Sequence, residues 1–226
     1  MKKLILSLVV VSVIGFSCSK SDPAPPGTTS NYMTLTAGST WNYESIDILP
    51  AITTTYTITS TNRDSVIMGK TYHVFTNSNG SANEYYNISG NDYYNFRNLP
   101  AALGGSSAEI HYLNDNAMVG ASWNQSVPAT VSGISFTATL TNTVTEKGIS
   151  KVVKGVTYND VIHVTTTIGV SIGGIPLPAS ALTTDIQSFY ARKFGLIQST
   201  NKINLNYAGV TSNTNQQTNL NTADLK

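Results

Sequence analysis

"FTATLTNTVTE", Phe136 to Glu146, decides the fold. In an extended chain, Phe136, Ala138, Leu140, Asn142 and Val144 share one face, and a stripe of Thr occupies the other. No helical period competes with this alternation, so the stretch is expected to be a strand. Working outward, "DVIHVTTTIGVSI" (Asp160 to Ile172) and "TTTYTITST" (Thr53 to Thr61) are β-branched and mostly alternate in the same way. "NISGNDYY" (Asn87 to Tyr94) reads as a hairpin whose turn is Ser-Gly-Asn-Asp. The expectation is an all-β chain of antiparallel strands joined by short turns.

Both tryptophans lie in one pattern, "GSTWN" at Gly38 to Asn42 and "GASWN" at Gly120 to Asn124, 82 positions apart (120 − 38). A Thr-rich strand pair follows each, then a Gly-x-Thr-Tyr element at Gly69 and at Gly155, 86 positions apart (155 − 69). Three elements in the same order at nearly constant offset predict two duplicated halves, about residues 35–100 and 117–205. In each half a Gly turns the chain into a strand and a Trp just inside covers one end of the core.

The N-terminus speaks about location. Lys2 and Lys3 precede an apolar or small run, Leu4 to Phe16, and "GFSCSK" then brings the only cysteine, Cys18. The run is shorter than the roughly 20 residues that cross a bilayer and fits a signal helix. A lone Cys in an exported chain forms no internal disulfide. Its position resembles the lipobox of bacterial lipoproteins, which implies cleavage after residue 17 and lipid on Cys18. Gly15 stands where that family prefers Leu. Gly15 and Ser17 also satisfy the small-x-small rule of an ordinary signal peptidase, which would leave a free thiol. Residues 18–31 form a polar, Pro-rich tether, and 32–226 a single domain. Ser19 is not the Asp that, by analogy, retains lipoproteins in an inner membrane. The expected location is therefore the outer membrane, with the periplasmic or the outward face left open.

Without Lys2 and Lys3, 11 basic residues (13 − 2) face 12 acidic ones, a net charge near −1. That balance offers no basic patch for nucleic acid. The body resembles Bacteroidota envelope lipoproteins of unknown function. "YMTLTAGSTWNYESI" is similar to their opening strand, and "SFYARKFGLIQST" to a strand near their C-terminus. The likeness covers roughly residues 32 to 205. It implies a curved antiparallel sheet, a lipocalin-like or LolA-like half-barrel, and transfers no catalytic residue.

Catalysis and metal binding find little support in the residues. "GVSIG" around Ser171 matches a nucleophile elbow, but Pro176 and Pro178 oppose the helix that must follow, and His73, His111 and His163 all precede Ser171. None of the three His has a second His or Cys at ligand spacing, so no metal or other cofactor is expected. His73 and His163 both follow a Gly-x-Thr-Tyr turn and would meet only in some duplicated arrangements. The expectation is a non-enzymatic protein that binds a ligand, or else a scaffold for an envelope protein partner.

Two binding surfaces are legible. Alternation through "EYYNISGNDYYNF" groups Tyr85, Asn87, Tyr93 and Asn95 on one face, suited to stacking on a glycan. The apolar loop "SIGGIPLPASAL", with Ile175 and Leu177, is a candidate flap over a cavity for lipid. "DSV" offers Ser65 as an O-glycosylation site. The tail, 206–226, reads either as an edge hairpin or as disorder.

Overall fold

The computed structural model describes residues 31–99, 105–131, 134–207 and 209–226. Residues 1–30, which include the signal segment, Cys18 and nearly all of the tether, lie outside them. The strands are β1 (Thr40–Asp47), β2 (Ile52–Ile67), β3 (Lys70–Asn77), β4 (Glu84–Ser89), β5 (Asp92–Asn98), β6 (Ser107–Asn114) and β7 (Ser122–Val131). They continue with β8 (Ile134–Val153), β9 (Val156–Ile172), β10 (Ile175–Pro176), β11 (Leu182–Ala191), β12 (Gly195–Tyr207) and β13 (Val210–Asp224). Apart from β10, which pairs only β9, the hydrogen-bonded order is β6-β5-β4-β3-β2-β1-β13-β12-β11-β9-β8-β7. Every pairing is antiparallel, and the sheet curls into a nearly closed up-and-down barrel.

Alternation decides what enters the barrel. On β8, Ala138, Leu140, Asn142 and Val144 are buried, while the Thr between them are half-buried. β13 differs from expectation: it is not an edge, because it pairs β1 on one side and β12 on the other. The free backbone groups of β1 supply the partner that its polar composition did not reveal.

The two Trp motifs begin two runs of six strands each, β1 to β6 and, leaving out two-residue β10, β7 to β13. Gly38 (φ +86°) and Gly120 (φ +87°) both adopt a backbone that favours glycine. Their amides donate to Ser60 O and Val144 O, each at 2.8 Å. Both Gly-x-Thr-Tyr elements begin in two-residue turns with two positive φ values, Met68-Gly69 (52°, 80°) and Lys154-Gly155 (51°, 83°). That geometry matches the twist of a tight hairpin.

One end of the barrel is closed. Tyr32 is 0% exposed. Its backbone N–H donates to the Tyr93 hydroxyl at 3.0 Å, and its own hydroxyl donates to Asp160 at 2.9 Å. Met33 bridges to Phe194, and the Ser60 hydroxyl donates to Leu35 O at 2.8 Å. The long β8–β9 hairpin, bent by register irregularities at Val144/Glu146, Lys147/Ile149 and Ile149/Lys151, reaches β1 through a Lys154–Glu44 ion pair of 2.9 Å. The largest buried cluster fills this end, around Trp41, Phe75, Tyr93, Ile162 and Leu220.

Asp160 links the closed end to pH. Burial acts to raise its pKa, but hydrogen bonds from Arg192 and Tyr32 and the Arg192 charge hold it below the usual Asp value. A carboxylate depressed in the folded state stabilises fully above its unfolded pKa of about 3.9, and that contribution is lost as pH falls through the folded value. We expect Asp160→Asn to lower the melting temperature at pH 7. The gap from the unsubstituted protein should narrow below pH ~4, which thermal melts at pH 7 and pH 3 would show. An equal gap at both pH values would remove Asp160 from the acid limb.

Candidate functional site

Opposite the closed end, the barrel opens into a cavity of about 970 Å³. Its floor is aromatic: Tyr43, Tyr56, Tyr86, Tyr112 and Tyr190 line it beside Met33 and Leu196. Tyr43 donates to Leu196 O at 2.9 Å, and Tyr86 to the Glu84 carboxylate at 2.6 Å. Burial, then the Glu84 charge, pushes the Tyr56 hydroxyl up to about 12, with the Arg97 charge working against both. Burial and Glu84 likewise raise Tyr86. These hydroxyls therefore stay protonated at neutral pH.

Higher up, the lining divides. Ile110, Leu140, Ile168, Ile186 and Ile203 come from β6, β8, β9, β11 and β12. Asp47, Thr54, Asn77, Glu84 and Gln216 come from β1, β2, β3, β4 and β13. Asp47 accepts a bond from Gln216 at 3.0 Å, and Glu84 accepts one from Asn77 at 3.3 Å. Arg97 borders the same space and is exposed.

The Tyr/Asn face predicted from sequence is corrected. The β4–β5 turn pairs Ser89 with Asp92, so each odd-numbered residue of β4 stands opposite an even-numbered residue of β5. Tyr85 and Asn87 thus share a face with Phe96 and Tyr94, whereas Asn95 and Tyr93 lie with Tyr86 and Ile88 on the other. Tyr93 is buried in the closed-end core, and Asn87 donates to Thr71 O at 2.9 Å. Asn95 lines the cavity, and its buried carboxamide oxygen has no protein hydrogen-bond partner. Tyr85 also borders the cavity. Ile175 and Leu177 do not: Leu177 N bonds Val170 O at 2.8 Å, folding the segment back on β9 as a hairpin tip with Ile175 74% exposed. Ser65 sits within β2 opposite Tyr72, half-buried.

Other sequence features resolve plainly. Ser171 lies inside β9, opposite Thr137 and Pro176, and two-residue β10 follows instead of a helix. His73 and His163 stand on strands separated by β2, β1, β13, β12 and β11. Each pairs its own carboxylate, Asp64 at 2.9 Å and Glu146 at 2.8 Å. Among the described residues, no three His, Cys, Asp or Glu are grouped to hold a metal.

Sequence reasoning missed the seam. Among the described residues no backbone ladder joins β6 to β7, and side chains do the work instead. The Gln125 carboxamide accepts from His111 N at 3.0 Å and donates to Glu109 O. Trp123 Nε1 and Asn142 Nδ2 both donate to His111 O, at 2.9 and 3.0 Å. The one available signal was Asn142, an amide inside an otherwise apolar stripe.

The architecture has counterparts of known structure. A crystal structure of a candidate lipoprotein from Parabacteroides distasonis ATCC 8503 matches with a TM-score of 0.52 at 12% identity, over 86% of this chain and 99% of that one. A candidate exported protein with a YmcC-like fold from Bacteroides fragilis NCTC 9343 matches with a TM-score of 0.43 at 6% identity, over the same shares. No family model and no curated protein sequence matches the chain. At such identities the first likeness speaks to the fold.

Proposed function

We propose that the chain is a lipid-anchored envelope protein whose barrel holds a small ligand and performs no chemistry on it. The cavity carries this reading, because its volume lies within the usual range for ligand pockets and its lining mixes apolar walls with a few polar groups. The anchor reading rests on the Cys18 motif, and Ser19 after it supports the outer membrane as the location. The thirteen residue steps from Cys18 to Asn31 (31 − 18) span at most about 45 Å. Asn31, where the tether meets the described chain, accepts from Lys193 N at the closed end at 2.9 Å.

Two measurements test this. Radiolabelled palmitate should mark the protein but not its Cys18→Ser variant, and equal labelling would remove the anchor. Native mass spectrometry of the full chain carrying Cys18→Ser, exported and purified without detergent, should show a reproducible co-purifying small molecule. A clean apo mass in every preparation would argue for the second reading, an envelope scaffold. One observation favours that alternative: Leu49 (78% exposed) after β1, Ile175 on β10 and Tyr207 at the end of β12 are exposed apolar side chains at the mouth.

A further inference from the structure

If the cavity holds a ligand, as proposed above, its walls define that ligand's chemistry. We infer that the ligand is facially amphipathic: a rigid ring system with one apolar face and one face of hydroxyl or amide groups, not a straight acyl chain. The apolar patch of Ile110, Leu140, Ile168, Ile186 and Ile203 occupies one arc of the barrel. The other arc, β13 and β1 to β4, presents Gln216, Asp47, Thr54, Asn77 and Glu84. On the strands of the patch itself, Asn142, Thr166 and Asn201 follow one residue pair nearer the closed end.

The two surfaces touch directly, because Ile186 on β11 stands opposite Asn201 on β12 in the ladder. A head-and-tail amphipath needs a sleeve that is apolar all round its chain. Here a saturated chain would cover the polar arc and strip water from amides without replacing their hydrogen bonds. A ligand polar on every side would leave the isoleucine patch facing hydroxyls and gain nothing from it. Asn95 borders the same cavity and adds a carboxamide to its wall. On the floor, the protonated Tyr56 hydroxyl supplies a donor and an acceptor, whereas Tyr86, whose proton goes to Glu84, supplies only an acceptor.

Isothermal titration of the full chain carrying Cys18→Ser, delipidated, tests the class with three probes. Cholate has hydroxyls on one ring face, laurate is a straight chain, and maltotriose is polar all round. Below its micellar range, cholate should bind at least tenfold more tightly than either of the others. Ile186→Asn and Asn201→Leu should each weaken cholate at least tenfold with melting temperatures within a few degrees of the parent, and Asn95→Leu serves in place of either variant that melts early. Laurate or maltotriose binding as tightly as cholate would overturn the facial reading and leave the cavity as a ligand site. A straight-chain lipid identified as the co-purifying mass would do the same. Failure of all three probes together with a clean apo mass would sink both readings.

Discussion

Trp41→Ala is expected to remove about 3–5 kcal/mol of stability, the cost of truncating a large buried aromatic. The ring is 0% exposed and packs on Phe75 with centroids 5.6 Å apart. Its Nε1 donates to Phe194 O at 2.8 Å, tying β1 to the β11–β12 turn across 153 residues of chain. Truncation therefore opens a cavity and orphans a carbonyl together. Against a typical domain stability of about 5–15 kcal/mol, the loss is a large share. Trp41→Phe separates the two parts, because it keeps a ring and removes the donor, at about 1–3 kcal/mol. Trp123→Ala, in the matching pentapeptide, should cost distinctly less, since Trp123 is only half-buried. Urea denaturation followed by circular dichroism measures all three. Equal losses at Trp41 and Trp123 would contradict the asymmetry.

The residues that made strands legible are those whose neighbours share the same chain segment. The period-two stripe of Phe136 to Glu146 announced β8, and Ser89-Gly90-Asn91-Asp92 announced the β4–β5 turn. Both are local, so sequence carries them. What failed was relational. Whether Tyr85 and Asn95 share a face depends on one residue of turn length, and slipping register by one moves every side chain to the other side of a sheet. The tail could not be placed because β13 is polar on its own, and only the waiting edges of β1 and β12 make it a closing strand. The cavity was illegible for a stronger reason. Asp47, Asn77, Glu84 and Gln216 come from four strands as far apart as 169 positions, and nothing within any single strand marks them as neighbours.

Gln125→Ala should loosen the barrel at the β6–β7 seam, which no backbone ladder joins among the described residues. An exposed strand edge invites pairing with other chains, and a barrel removes the hazard by closure. Between β6 and β7, among the described residues, closure does not run through a backbone ladder. The Gln125 side chain presents an acceptor and a donor as a strand backbone would, holding His111 N and Glu109 O, while Trp123 and Asn142 hold His111 O. His111 is further clasped between Tyr94, at 4.7 Å, and Trp123, at 5.2 Å. Removing the carboxamide leaves two part-buried backbone groups without partners, about 1–3 kcal/mol for each that water cannot reach. The expected signature is local: amide exchange at His111 should accelerate by at least tenfold, while Val164 and Leu220 in the core accelerate only as far as the global stability falls. Gln125→Glu sharpens the test, because a carboxylate still accepts from His111 N but repels the Glu109 carbonyl. It should give an intermediate rate at pH 7 that recovers toward the parent as the carboxyl is protonated in acid. Unchanged exchange at His111 in Gln125→Ala would mean that the Trp123 and Asn142 bonds alone keep β6 against β7.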